Sequence, residues 1–178
     1  LGITVTGDIF NIFVFLEISS LSTYTMVAMG SDRRALTAAF RYLVMGSIGA
    51  TFIVIGIGLL YSVTGTLNIA DLAARLAVLE GSTRIIPVAF GFFSVGVSMK
   101  LALFPLHLWL PNAYAFAPSA ATAFLAATAT KVGVYMLLRF FFTVFGASYA
   151  LDAMQVDLVL LPLALISIVA MSLVAIFQ

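Results

Sequence analysis

The sequence predicts an all-α fold, a polytopic bundle of membrane-spanning helices, and three observations predict it. Of the 178 residues, 63% are hydrophobic and only 8% charged, whereas soluble domains carry roughly 25% charged residues. A soluble core cannot hide that much apolar surface. The apolar residues gather in five runs near the ~20 residues that a helix needs to cross a bilayer. Most of the charges stand at the ends of those runs or between them, with three exceptions that carry the functional reading.

The first run, 9–29, ends in the turn GSDRR at 30–34. The second, 36–63, is long enough to tilt, and Gly46, Gly49, Gly56 and Gly58 would let a neighbouring backbone come close. Residues 64–84 are too polar to span. Leu72, Leu76 and Leu79 share one helical face there, with Asp71, Arg75 and Glu80 elsewhere, which predicts an interfacial helix over 68–80 capped by Asn68 or Asp71. The third run, 85–110, is predicted to be broken near 105. Pro105 cannot donate to the carbonyl of Leu101, nor Pro111 to that of His107, and broken backbone at membrane depth needs protein or water to satisfy it. The fourth span is 119–142, after Pro118. A loop over 146–155 without Lys or Arg follows, and the fifth span is 158–177. Arg33 and Arg34, with Arg41 close behind, place the first loop in the cytoplasm, although Arg75, Arg84 and Arg139 then fall on the other side. The chain starts at Leu1 without a Met and ends at Gln178 directly after an apolar run, so it reads as one membrane domain, an internal piece of a longer protein.

Composition narrows the chemistry. A net charge of +1 gives nucleic acid no purchase. Without Cys, no disulfide, Fe–S cluster or thiolate metal site can form within the chain, and one His with two Glu leaves little for a metal, so neither metal nor cofactor is expected. The glycines of GIGLLYSVTG lack a P-loop lysine and lie in a membrane helix.

The three exceptions are Glu17, Lys100 and Lys131, each within an apolar run. A charge near the bilayer centre costs a few kcal/mol or more, so such residues face protein or water and usually move ions or protons. On a helix Ser20 and Tyr24 share the face of Glu17, giving a narrow polar stripe. Glu17 reads either as part of a proton path or as a structural partner for a basic residue. Lys100 stands just before the break, where water and freed carbonyls let a lysine be charged in one state and neutral in another; the alternative is snorkelling from a helix end. Lys131 is too central to snorkel, and Thr128 and Tyr135 are candidate lining for a hydrated path on its face, which Arg139 could extend. Its alternative is a static salt bridge. His107, the sole histidine, suits a proton relay by its near-neutral titration and equally suits capping of the broken helix.

Four segments carry a resemblance: GDIFNIFVFLE (7–17), LLYSVTGTLNIADLA (59–73), KLALFPLHLWLPNAYAFAPS (100–119) and LAATATKVGVYMLLR (125–139). Together they resemble the antiporter-like proton-conducting membrane subunits found in Mrp-type cation/proton antiporters, respiratory complex I and membrane-bound hydrogenases. The first two segments look most like the D-type component of Mrp antiporters. The resemblance implies a subunit of about fourteen helices with inverted five-helix repeats, each with a broken helix and a half-channel. It implies that Glu17 pairs with Lys100 of the broken helix, that Lys131 passes protons towards the protein's axis, and that His107 lies in the connecting relay. The second repeat, with its terminal acid or lysine, lies outside this chain.

Two functions of different class follow as expectations. One is a component of a monovalent cation (Na+)/proton antiporter; the other is a proton-pumping subunit of an NADH:quinone oxidoreductase or hydrogenase, driven by redox centres on other chains. A purely structural scaffold has no need of charges in its spans. The expected partners are other membrane subunits, protons, Na+ and the lipid bilayer, and the expected setting is the bacterial inner membrane.

Overall fold

The computed structural model describes residues 1–79 and 82–177. Eight α-helices occur among them: α1 (Gly2–Val5), α2 (Ile9–Ala28), α3 (Arg33–Thr64), α4 (Ile69–Leu79), α5 (Ile85–Leu101), α6 (Trp109–Phe116), α7 (Ser119–Leu138) and α8 (Val156–Phe177). Two π-helical turns, Arg139–Val144 and Tyr149–Ala153, separate α7 from α8. α2, α3, α7 with its π turn, and α8 are each long and apolar enough to cross a membrane. The chain is an all-helical, multi-pass integral membrane protein.

Local chemistry sets the helix ends. Asp8 accepts from the Asn11 amide and Asp32 from the Arg34 amide, each at 2.8 Å, which satisfies N-terminal donors of α2 and α3. α3 stops at Gly65, whose φ of 68° needs a residue without Cβ strain. Asn68, not Asp71, caps α4: its Oδ1 accepts from the amides of Ala70 and Asp71. Asp71 instead pairs with Arg75 at 3.0 Å, and the guanidinium's hydrogen bond holds the Asp71 carboxyl below the usual carboxylate range. Arg75 also donates to the Thr64 carbonyl at 2.7 Å. Ile9 donates to Leu67 and Ile69 to Gly7, so the starts of α2 and α4 are pinned side by side. Ile69, Leu72 and Leu76 bury the apolar face of α4. The predicted last residue of this helix, Glu80, lies outside the described residues.

α3 and α5 run antiparallel in close contact. A Cβ on Gly96 would stand 2.7 Å from the Gly49 carbonyl, so the two backbones touch there. Gly56 admits the Phe93 ring and Gly46 the Tyr24 hydroxyl. Gly58 meets nothing within 4 Å and does not serve the close approach expected of it. At the far end Phe90 and Phe93 pack on Phe140, Phe141, Phe145 and Tyr149. This cluster explains a departure from the expected helix over 119–142 and loop over 146–155. A π turn inserts an extra residue, which lets the adjacent Phe140 and Phe141 both turn inward. A second π turn then occupies the expected loop, after Gly146 at φ 87°. None of the residues of α8 is buried.

Candidate functional site

The break in the third span is built differently from the expectation. α5 ends at Leu101, ahead of Pro105, because Ala102 adopts the left-handed conformation (φ 59°). The Leu103 amide then bonds to the Ser98 carbonyl at 2.9 Å and the Ala102 amide to that of Met99 at 3.3 Å, which is a Schellman termination. Pro111 does not break a helix. It lies in the first turn of α6, where its missing N–H is no loss. The His107 carbonyl, expected to be freed by Pro111, accepts from the Leu110 amide at 2.9 Å. Trp109 ties the two halves together: its Nε1 donates to the Met99 carbonyl at 3.1 Å and its ring stacks on Tyr42 at 4.2 Å.

Lys100 therefore sits in the last turn of α5, next to the interruption. Its Nζ donates to Glu17 Oε1 at 2.6 Å and to Ser20 Oγ at 2.9 Å. Glu17 and Ser20 lie one turn apart on α2, so the polar stripe of α2 meets the end of α5. The lysine side chain is 7% exposed and the carboxylate 25%, which makes this an ion pair largely withdrawn from solvent. Gly49 leaves room for the lysine stem, since a Cβ there would lie 3.7 Å from Lys100 Cγ. The Thr23 hydroxyl donates to the Ser20 carbonyl at 2.8 Å and meets the Tyr42 hydroxyl at 3.2 Å.

A cleft of about 470 Å³ opens from Lys100 between α2 and α7; Ser20, Thr23, Tyr42 and Thr128 also line it. That volume accommodates on the order of ten waters. Thr128 is one turn before Lys131 on α7. Lys131 itself is exposed, and its Nζ donates to the carbonyl of Ala126 on the same helix. The reason lies two residues on: Gly133 packs against Leu101, where a Cβ would stand 3.1 Å from Leu101 Cα. Two helical residues correspond to about 200° of rotation, so Lys131 faces away from α5. The structure thus brings Glu17, Lys100 and Ser20 together and sets Lys131 on the outer face of α7.

His107 stacks on Phe104 at 5.4 Å, and its Nδ1 is buried with no partner among the described residues. Tyr135 and Arg139 turn to the N-terminal segment. Arg139 donates to the carbonyls of Ile3 and Thr6 at 3.0 and 2.8 Å and to the Tyr135 hydroxyl at 3.2 Å. Three of its five N–H donors serve this clamp. Tyr42, Thr23 and Trp109 escaped the sequence reading as parts of the site. Tyr42 and Thr23 stand on different helices with no charge to mark them, and only the Nε1 of a lone Trp beside the break gave a hint.

Known proteins resemble this chain in sequence and in fold. Residues 6–178 match the family described as NADH:quinone oxidoreductase/Mrp antiporter, transmembrane. The chain belongs to this family. NADH-quinone oxidoreductase subunit N of Desulforudis audaxviator is 49% identical over 148 residues, 83% of this chain and 29% of that protein. The D component of the Na(+)/H(+) antiporter of Alkalihalophilus pseudofirmus is 38% identical over 145 residues, 82% of this chain and 29% of that protein. The solved Mrp complex from Dietzia sp. DQ12-45-1b superimposes with a TM-score of 0.72 at 32% identity, covering 81% of this chain and 27% of that chain. This NADH:quinone oxidoreductase/Mrp-type chain therefore spans about 29% of the length of these curated relatives.

Proposed function

We propose that this chain forms the proton-carrying part of an antiporter-like subunit of a multisubunit membrane complex. In this reading Lys100 holds a proton opposite Glu17 and releases it through the α2–α7 cleft past Thr128 to Lys131. His107, whose buried Nδ1 has no partner among the described residues, is a further titratable group near the break. The observation that carries the reading is the Lys100–Glu17 pair at 2.6 Å, formed within apolar helices and open to a cleft. A charge pair of this kind is weak as a stabilising device but well suited to a lysine that must be charged and discharged in turn. The test reconstitutes the whole complex in vesicles with Lys100→Ala and with Lys131→Ala at matched assembly. Proton flux is expected to fall by roughly a hundredfold or more in each; near-normal flux would make the substituted lysine a structural charge.

Coupling to Na+ in a bacterial inner-membrane antiporter is the first assignment, supported by the antiporter relative and the Mrp fold. A second assignment, to a redox-driven complex, is favoured by the higher identity to the oxidoreductase relative, 49% against 38%. Vesicles decide between them. Collapse of an imposed pH gradient on adding Na+ supports the exchanger, and proton uptake only with a reduced donor and a quinone supports the redox complex.

A further inference from the structure

The end of the bundle where α3 begins carries a cleft of about 280 Å³ between α3 and α6. Arg34, Thr37 and Arg41 line it from α3, Asn112 and Phe116 line it from α6, and the small Ala38 leaves room between them. Positions 34, 37, 38 and 41 fall on one face of a helix, so two guanidinium groups and a hydroxyl share the opening. Protein does not answer this charge. Asp32 pairs with Arg34 at 3.5 Å, and no carboxylate meets Arg41 among the described residues. The side chains of Thr37, Arg41 and Asn112 make no hydrogen bond to protein there either. Phe116 fixes one wall, with its ring 5.5 Å from the Arg34 guanidinium carbon. One aspartate against Arg33, Arg34 and Arg41 leaves a surplus of positive charge. Converging donors with that surplus suit an anion that accepts several hydrogen bonds, a phosphate above all.

Two further observations say which phosphate. α3 has 32 residues, about 48 Å of helix against a hydrocarbon core of about 30 Å, so its first turns stand in the headgroup layer. Past Thr37, the exposed Val44, Ile48 and Ile55 continue the same helical face. That apolar stripe rises about 16 Å along the helix, enough to seat most of an acyl chain. We propose that the cleft binds the phosphate of an anionic phospholipid, with one acyl chain lying along Val44, Ile48 and Ile55. A basic recess between helices at the membrane surface is the usual form of such a site. Arg34 and Arg41 hold the phosphate oxygens, and Thr37 and Asn112 donate to the same headgroup. The lipid bridges α3 and α6. It thus braces the second half of the interrupted span, whose Trp109 makes the contacts to Met99 and Tyr42. The site stands apart from the Lys100–Glu17 pair, and its assignment does not depend on the reading of that pair.

A single thiol reads the cleft directly, because the chain has no Cys. Thr37→Cys is placed in the whole complex, in vesicles of phosphatidylcholine alone or of phosphatidylcholine with phosphatidylglycerol. Its reaction with an uncharged maleimide is followed by the mass of this subunit. Phosphatidylglycerol is expected to slow labelling roughly tenfold or more, and Arg34→Gln with Arg41→Gln to abolish that protection, since two arginines at a membrane surface account for a factor of this size. Ser31→Cys, outside the cleft, should label equally in both vesicles. Equal labelling of Thr37→Cys in the two vesicles overturns the lipid site, whether the thiol is open in both or covered in both by another segment of the complex. Protection that persists without the arginines also overturns it. Inorganic phosphate added to the phosphatidylcholine vesicles separates the two sources of the anion: if it protects as well as the lipid does, the cleft takes free phosphate and the lipid assignment fails. If Thr37→Cys does not assemble, Asn112→Cys reads the same cleft from the α6 wall by the same criteria.

Discussion

Lys100 is held by one carboxylate oxygen and one hydroxyl, and this sets what each substitution at the pair should do. Removing Glu17 leaves a buried ammonium unpaired, a change that typically costs about 3–5 kcal/mol, whereas removing both charges costs far less. Glu17→Gln and Lys100→Met should therefore each destabilise the protein, and the double variant should recover about 2 kcal/mol or more of the summed loss. A double-mutant cycle on unfolding free energy measures this coupling. Additive losses would mean that the two groups do not interact in the membrane. Ala102 is a second residue with a defined cost, because a side chain in the left-handed conformation is disfavoured by about 1–2 kcal/mol. Ala102→Gly removes that strain at a smaller cost in chain entropy, so it should stabilise the protein by about 1 kcal/mol and raise its Tm. A lower Tm would show that Ala102 sits there without strain.

Among the helices, the site depends on how closely α3 and α5 approach, because α5 delivers Lys100 at its last turn. The contact is backbone to backbone at Gly49 and Gly96. Gly96→Ala would push a methyl to 2.7 Å from the Gly49 carbonyl and 3.0 Å from the Ile53 amide nitrogen. Backbone cannot yield as a side-chain tip can, so the expected cost is about 1–3 kcal/mol, with proton flux falling because Lys100 shifts from Glu17. Gly58→Ala, in open space on the same helix as Gly49, should leave flux unchanged and stability equal or slightly raised, since Ala is the better helix former. Equal losses for the two would rule out the contact as the cause. The break itself is also a matter of helix ends. Since the Schellman turn ends α5 ahead of Pro105, replacing that proline would not by itself rejoin α5 and α6.

Across the full bundle, α8 presents 22 residues with none buried, as expected of an apolar helix whose surroundings are lipid or further helices. The ends of the antiparallel α3–α5 pair carry Ser31 on one side and Ser82 on the other. Because the chain has no Cys, single cysteines at these two positions report orientation directly. The arginines at 33 and 34 predict that Ser31→Cys reacts with a membrane-impermeant maleimide only from the cytoplasmic side and Ser82→Cys only from the other. The reverse pattern would invert the molecule.

Local sequence was enough for the class of protein, the approximate course of α2, α3, α4 and α8, and the identity of the three charges within apolar runs. These are legible because run length, composition and capping residues act over a few residues at a time. The family followed from motifs that are contiguous in the chain. Assembly of the helices supplied the remainder. Glu17 meets Lys100 across 83 residues of sequence, and no local pattern encodes which carboxylate a lysine will face. Lys131 turns outward because Gly133 needs to lie on Leu101. Arg139 is a clamp because two carbonyls of the N-terminal segment converge on it. The break falls at Ala102, an ordinary helix former, because the packing of Trp109 on Tyr42 and Met99 holds the chain where it must turn. In each case a long-range contact overrode a weak local preference, and such contacts exist only once the helices have come together.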